Sequence, residues 1–361
     1  MAVTRVALFP FLVAFTACVS TSLPVPRTWL SVPSAPRMRT LTLDEQGKVS
    51  HAPAPPSRRT HDGPIRLADE FTGPKLANGE KLLTPPFAAI DSFDYSESRG
   101  EVAFSARREA GFDIGLVSSD GSPISWVPPD PADEVQVQWA PRGNKVSYVL
   151  RLAGGDVVRT LHVPTAASMA VAFEGGTVHA LAWDPPAERF AVTWSTPDAS
   201  DRVEVMKYSG ADRKVVVPPA ERLNVELEQL PGAVLLRPRD LRYDEKLPLV
   251  LWSAEGLQWS DARAALLRQA RVAVVVTTRA PSEELWRAVE ATPWIDATRL
   301  FAVGGCPRDG ICITTDPALP PGRYTRNGRT VTVAPAVVQS FAAGFIADQL
   351  TRTSPTNGSS R

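Results

Sequence analysis

The chain is poor in the residues that usually carry catalysis. Its 361 residues include four histidines and three cysteines. The histidines are His51, His61, His162 and His179, so none follows residue 179. No Cys/His set has the spacing of a zinc site. Gly304-Gly305 is a glycine pair without the lysine and spacing of a phosphate cradle. No cofactor and no metal are therefore expected. Lysine plus arginine (39) balance aspartate plus glutamate (39), with no basic stripe, which argues against a nucleic-acid partner. Past the first fifteen residues, no apolar run is long enough to cross a bilayer.

What is present begins at the N-terminus. Arg5 precedes an apolar run from Val6 to Phe15, about half the length of a membrane span. A basic start, a short apolar centre and small residues after it read as a secretory signal. Phe15-Thr16-Ala17-Cys18 resembles a bacterial lipobox, with Phe15 where leucine is usual. That resemblance implies a lipoprotein signal over residues 1–18, lipidation of Cys18 and attachment to the membrane through the lipid. An ordinary cleaved signal peptide is the alternative. Val19 follows Cys18, and no aspartate is there to signal retention. By the rule for enteric bacteria this implies the cell envelope, at the outer membrane, facing the periplasm or the cell surface. With Cys18 so used, Cys306 and Cys312 remain as a pair in an oxidising compartment. Their spacing of six permits a small disulfide loop, with two buried thiols as the alternative.

Residues 19–63 read as a proline-rich tether, carrying Leu23-Pro24-Val25-Pro26 and Ala52-Pro53-Ala54-Pro55-Pro56, with one short strand at Leu41-Thr42-Leu43. Residues 64–228 hold a repeat. Tyr95, Trp139 and Trp183 stand 44 residues apart. Each is followed by a polar turn, by an apolar residue seven later (Val102, Val146, Phe190) and by another nine later (Phe104, Tyr148, Val192). A fainter fourth copy starts at Leu227, with Val234 and Leu236 in register. An aromatic residue, a turn and an alternating strand, repeated every 40–45 residues, form the pattern of a propeller blade. The copies resemble the TolB-type, WD-like β-propeller repeats of secreted bacterial proteins. Trp126, Trp139, Trp183 and Trp194 then read as blade core. Asp130, Asp133 and Glu134 gather in what reads as a solvated loop, with a cation site as the alternative.

Over residues 229–350 the pattern changes to α/β. Leu247 to Trp252 is continuously apolar, as a buried parallel strand is. Ser260 to Gln269 reads as a helix, Val272 to Thr277 as a strand, Ser282 to Glu290 as a capped helix and Leu300 to Val303 as a third strand. A hairpin turning near Asn327-Gly328 and a helix from Ala336 to Leu350 follow. The polar tail 351–361 reads as disordered. The expected fold is thus a β-propeller-like, all-β domain followed by a small α/β domain with a three-stranded parallel core.

This order resembles the prolyl oligopeptidase family of serine hydrolases. Arg237-Pro238 with Lys246 to Leu251 looks like the start of that family's hydrolase domain. Pro293 to Gly305 looks like the segment that leads to its nucleophile elbow. The catalytic positions depart from the pattern. Where Gly-x-Ser-x-Gly is expected, Gly304-Gly305-Cys306-Pro307-Arg308 stands. The oxyanion segment reads Ser253-Ala254-Glu255-Gly256, and no histidine follows the elbow to act as base. A thiol at Cys306 served by the distant His179 is the catalytic pairing left, opposed by Pro307 in the turn and by Cys312 as a rival partner. The expectation is a non-catalytic envelope lipoprotein, with Gly304 and Cys306 as a vestigial elbow, that binds or scaffolds an envelope protein. A divergent peptidase or esterase, or a periplasmic ligand sensor, are the alternatives.

Overall fold

A computed structural model describes residues 22–30, 40–46, 48–52, 64–70, 73–109, 111–253, 257–278, 280–304 and 310–353. Residues 1–18 with Cys18, and the elbow position Cys306, lie outside the described residues. In chain order the first elements are β1 (Ser22–Pro24), α1 (Arg27–Leu30), β2 (Thr40–Leu43) and β3 (Val49–Ala52). A small sheet of β4 (Ile65–Glu70), β5 (Gly73–Asn78) and β6 (Lys81–Leu82) follows.

Three four-stranded antiparallel sheets come next. The first is β7 (Ile90–Ser96), β8 (Glu101–Arg107), β9 (Phe112–Ser118) and β10 (Ser125–Trp126). The second is β11 (Asp133–Trp139), β12 (Lys145–Arg151), β13 (Gly155–His162) and β14 (Ala167–Glu174). The third is β15 (Thr177–Trp183), β16 (Arg189–Thr196), β17 (Ala199–Lys207) and β18 (Lys214–Val217). The 44-residue repeat has a direct geometric meaning. Tyr95, Trp139 and Trp183 end the first strand of their sheets, and the apolar residue seven later is the cross-strand partner: Tyr95↔Val102, Trp139↔Val146, Trp183↔Phe190. The tight turn between them needs a left-handed residue, supplied by Gly100 (φ 65°), Gly143 (φ 68°) and, in the third copy, Ala187 (φ 60°). Val102, Phe104, Val146, Tyr148, Phe190 and Val192 are all essentially buried, and each contributes roughly 1.5–3 kcal/mol by leaving water.

Each first strand also carries a register shift at the same place, between Ile90 and Ser92, Val135 and Gln138, and Val178 and Ala180. Such bulges bend the strand and re-aim its side chains. The bulge region is where neighbouring sheets are stitched. Asp91 Oδ2 accepts from Gln136 N (2.8 Å), Ser92 Oγ from Val137 N (3.0 Å), and Asp94 Oδ2 from Trp139 N (2.8 Å). Between the second and third sheets, Gln136 Nε2 donates to Val178 O (3.2 Å), and Asp156 Oδ2 accepts from Val178 N (2.6 Å). Asp133 and Glu134 are in strand β11 rather than in a solvated loop. Asp133 Oδ1 accepts from Phe112 N, Glu134 Oε2 accepts from Ile114 N, and Asp130 pairs with Arg159. Among the described residues no group of three acidic, His or Cys side chains is placed to hold a metal ion.

The remaining strands form one nine-stranded sheet. They are β19 (Val225–Leu230), β20 (Ala233–Pro238), β21 (Leu247–Ser253), β22 (Ala273–Thr277), β23 (Ile295–Val303), β24 (Ile311–Thr315), β25 (Arg323–Asn327) and β26 (Thr330–Val333), joined by β1 in the order β1-β25-β26-β24-β23-β21-β22-β20-β19. Neighbours in the run β22-β21-β23-β24-β26 are parallel, so five strands stand where the sequence predicted three. The predicted parallel set lacked β24, and it had β26 as part of the Asn327-Gly328 hairpin and not as a parallel neighbour of β24. Helices α2 (Asp261–Gln269) and α4 (Val338–Thr353) cover the face bearing Val250 and Trp252. Helix α3 (Glu283–Glu290) covers the face bearing Leu249 and Leu251, which explains why β21 is apolar at successive positions. Ser260 and Ser282 cap α2 and α3 by accepting from Arg263 N and Leu285 N.

Two readings of the sequence are corrected here. The fourth repeat copy at Leu227 is no blade: β19 and β20 are a hairpin whose second strand pairs antiparallel with β22. Val234 and Leu236 keep the repeat's register only because alternation in any hairpin would. The 19–63 segment is also attached at several points. β1 pairs with β25, Val25 N donates to Gly322 O (2.9 Å), and α1 rests on α4. The β2–β3 hairpin buries Leu41 and Leu43 against Ala180, Ala182 and Val203 of the third sheet. At the other end α4 runs to Thr353, past the predicted Leu350 and into the tail, whose residues 354–361 lie outside the described set. No helix of the described residues is long and apolar enough to cross a membrane.

Candidate functional site

In sheets with parallel strands, ligands gather at the carboxyl ends of the strands. Here those ends are Ser253 of β21, Thr277 of β22 and Gly304 after β23, on three adjacent strands. Gly304 has φ +91°, and a Cβ there would stand 2.9 Å from the Cβ of Ser253. The close approach of the two strand ends, together with the left-handed backbone, makes glycine necessary at 304. The oxyanion-like residues 254–256 and the elbow residues 305–309 lie outside the described residues, so the predicted Cys306 is not placed and its pairing with Cys312 is not located. Cys312 itself is placed in β24, buried, with Sγ 3.8 Å from Gly310 O.

The connection after Gly304 has a fixed length. β23 ends at Val303 and β24 starts at Ile311, leaving residues 304–310 between them. The two strands are parallel neighbours, with Phe301↔Ile311 and Val303↔Ile313 in register. A parallel connection usually spends a dozen or more residues, most often on a helix. Here seven residues separate the two strands, and β24 begins beside Phe301, near the end of β23.

The third propeller-like sheet meets the loop before α2 and the first turn of that helix. Trp259, just ahead of α2, donates its backbone N–H to Ser195 Oγ on β16 (3.0 Å). The same Ser195 Oγ lies 2.7 Å from His179 Nε2, and that nitrogen lies 3.5 Å from Asp201 Oδ1. Ser, His and Asp are therefore assembled, but not as a catalytic triad. In a triad the two ring nitrogens of histidine divide the work, one facing the serine and the other the carboxylate. Here serine and aspartate face the same nitrogen. Ser195 is completely buried and its oxygen already accepts the Trp259 N–H. The geometry is that of a polar pin joining β15, β16 and β17 to the loop before α2.

Beside the pin lies Arg263, completely buried on the first turn of α2. Its Nη2 donates to Gln258 O (2.5 Å) and lies 3.5 Å from Pro197 O in the β16–β17 turn. Burial pulls its pKa down to about 10, and Asp198 opposes the shift, so the guanidinium stays charged at neutral pH. A separate, more open cleft of about 520 Å³ lies between the first two propeller-like sheets, lined by Asp94, Tyr95, Glu97, Trp139 and Pro141 among others. The four predicted tryptophans behave as core: Trp139, Trp183 and Trp194 are nearly buried, and Trp126 packs edge-on to Phe87 and Phe104.

Sequence reasoning singled out His179 but not its partners. Ser195 and Asp201 become its neighbours through the register Thr177↔Ser195 and the return strand β17, which no local motif encodes. Arg263 sits in an ordinary amphipathic helix pattern, and only the packing of the third sheet onto α2 buries it.

No protein-family model matches the chain, and no curated protein matches its sequence. Among solved structures its fold is similar to that of an acylaminoacyl peptidase from Pyrococcus horikoshii, with a TM-score of 0.52 and 11% identity over 75% of this chain and 54% of that one. A Bacteroides ovatus protein described as a dipeptidyl aminopeptidase IV aligns with a TM-score of 0.48 and 9% identity over the same shares. The chain spans about half the length of these two proteins (54% of each). At such identity the likeness to the first concerns the fold alone.

Proposed function

We propose that the chain is a non-catalytic envelope lipoprotein in which propeller-like sheets and a hydrolase-like sheet form one binding or scaffolding body. One observation carries the reading: the seven residues between the parallel strands β23 and β24. A nucleophile elbow is a strand–turn–helix device, and the residue after the nucleophile lends its N–H to the oxyanion hole. The connection is shorter than the dozen or more residues that a parallel crossover usually spends, and no histidine follows Cys306 in the sequence. His179 is engaged by Ser195 and Asp201 through the nitrogen a base would use. Cys18 would anchor the body through lipid, and an envelope protein would be the partner.

The test is turnover of ester, aminoacyl-anilide and short peptide substrates by the purified full chain, beside Cys306→Ala. Rates at background for both are expected. Turnover in the wild type that Cys306→Ala abolishes would overturn the reading. For the anchor, Cys18→Ala should move the protein from the membrane to the soluble fraction, and unchanged partitioning would refute lipidation there. Affinity purification from solubilised envelopes should yield a stoichiometric partner that is lost on deleting residues 64–228.

A second reading, a divergent hydrolase, draws on the fold similarity to an acylaminoacyl peptidase. It requires an activated nucleophile other than a Ser–His pair after the elbow, and the same substrate panel decides it.

A further inference from the structure

Arg263 poses a problem of charge that the protein groups around it, among the described residues, do not solve. A guanidinium has five N–H donors and cannot shed its charge at neutral pH. Nη2 is directed at the carbonyls of Gln258 and Pro197. Among the described residues the buried Nε and Nη1 have no partner, which leaves three N–H groups without an acceptor. Asp198, the carboxylate that acts on Arg263 electrostatically, is turned elsewhere. Its Oδ1 accepts from Thr196 Oγ1 (2.6 Å) and its Oδ2 faces Arg222 Nε (3.9 Å). The positive end of α2, eight residues or more in length, adds potential of the same sign. Burying an uncompensated charge costs several kcal/mol even after relaxation.

We propose that the junction between the β16–β17 turn and the first turn of α2 holds a small monovalent anion on the open N–H groups of Arg263. The complete burial of Arg263 excludes a bulky ligand, so the anion is taken to be a small one, of the class of chloride or formate. Two of the carbonyls around the guanidinium belong to different parts of the fold, Pro197 to the third propeller-like sheet and Gln258 to the α/β segment. The anion therefore cements the seam between them, and its occupancy sets how firmly the two parts are joined. This inference stands whether or not the chain hydrolyses anything.

The experiment is thermal unfolding of the full chain at constant ionic strength in sodium gluconate, sodium chloride and sodium formate. Gluconate is too large to enter. The midpoint should rise on the order of 5 °C at 100 mM chloride or formate relative to gluconate. Arg263→Met, which keeps the volume and removes the charge, should lose that difference. In parallel, crystals soaked in bromide should show an anomalous peak beside Nη1 or Nε of Arg263, a result that stands even if the variant does not fold. Equal midpoints in the three salts, an anion effect that survives in Arg263→Met, or ordered water with no bromide at the open N–H groups would each overturn the proposal.

Discussion

The backbone N–H of Trp259 donates to the hydroxyl of Ser195, 64 residues earlier in the chain, at 3.0 Å, and this bond ties the loop before α2 to strand β16. Because Ser195 is fully buried, nothing replaces its oxygen when it is removed. Ser195→Val should cost about 1–3 kcal/mol, the penalty of leaving a buried donor without an acceptor. Urea titration followed by tryptophan fluorescence measures it. A change below the error of the fit would mean that the loop finds water.

Glu134 gives the fold a pH dependence. Burial pushes its pKa from 4.5 up to about 7, Asp113 and Asp130 add to the shift, and the Ile114 N–H and Arg159 oppose it. The carboxyl is thus more readily protonated folded than unfolded. Its contribution to stability is fully present below pH 4.5 and is lost as pH rises through 7. Asp156, raised to about 6 mainly by burial, slopes the same way at lower pH. Glu134→Gln should flatten the decline between these limits and leave the protein roughly 1–3 kcal/mol more stable than wild type at pH 8. Denaturant midpoints at pH 5 and pH 8 check this, and an unchanged pH slope would contradict it.

The repeat turns make a paired prediction. A Cβ on Gly143 would collide with the hydroxyls of Ser96 and Ser98, and the backbone there is left-handed. Gly143→Ala should destabilise by about 1–3 kcal/mol. Ala187 already pays the conformational cost at the matching position, where its methyl is buried. Ala187→Gly should therefore change stability by less than about 1 kcal/mol, since relief of strain and loss of a buried methyl offset each other. Differential scanning calorimetry of the two variants compares them directly.

Removing residues 1–26 should uncover the β25 edge. Arg323 would lose its bonds to Ser22 Oγ and Ser22 O, and the strand would lose its pairing to Ser22–Pro24. Faster amide exchange at Arg323, Tyr324 and Thr325, with the propeller-like sheets unaffected, is the expected result. An exposed edge also invites self-association, which light scattering would detect.

How much of this was legible in the sequence depends on the range of the interactions. The 44-residue spacing was readable because Tyr95, Trp139 and Trp183 and their partners seven residues on are local hairpin pairs. Helix starts at Ser260 and Ser282 were readable for the same reason, since a cap acts over three residues. The sheet order was not. β1 reaches β25 across some 300 residues, and β20 joins β22 instead of forming a blade, choices made by which edges remain open. The candidate site shares this limit. Gly304 was marked by its motif, whereas the serine and aspartate around His179 and the burial of Arg263 follow from how separate segments pack.

The pairing of β1 with β25 has a mechanical meaning. Ser22 is already hydrogen-bonded into the sheet. From Cys18 to Ser22 the chain has four residue steps, which span at most about 14 Å when fully extended. With the proposed lipid on Cys18, the β25 edge would be held against the headgroup layer, and the body would stand on the membrane surface instead of floating above it on a leash. Any partner pulling the body away would load β1 first and peel it from β25 one bond pair at a time, so the strand would act as a release catch for the segment that follows.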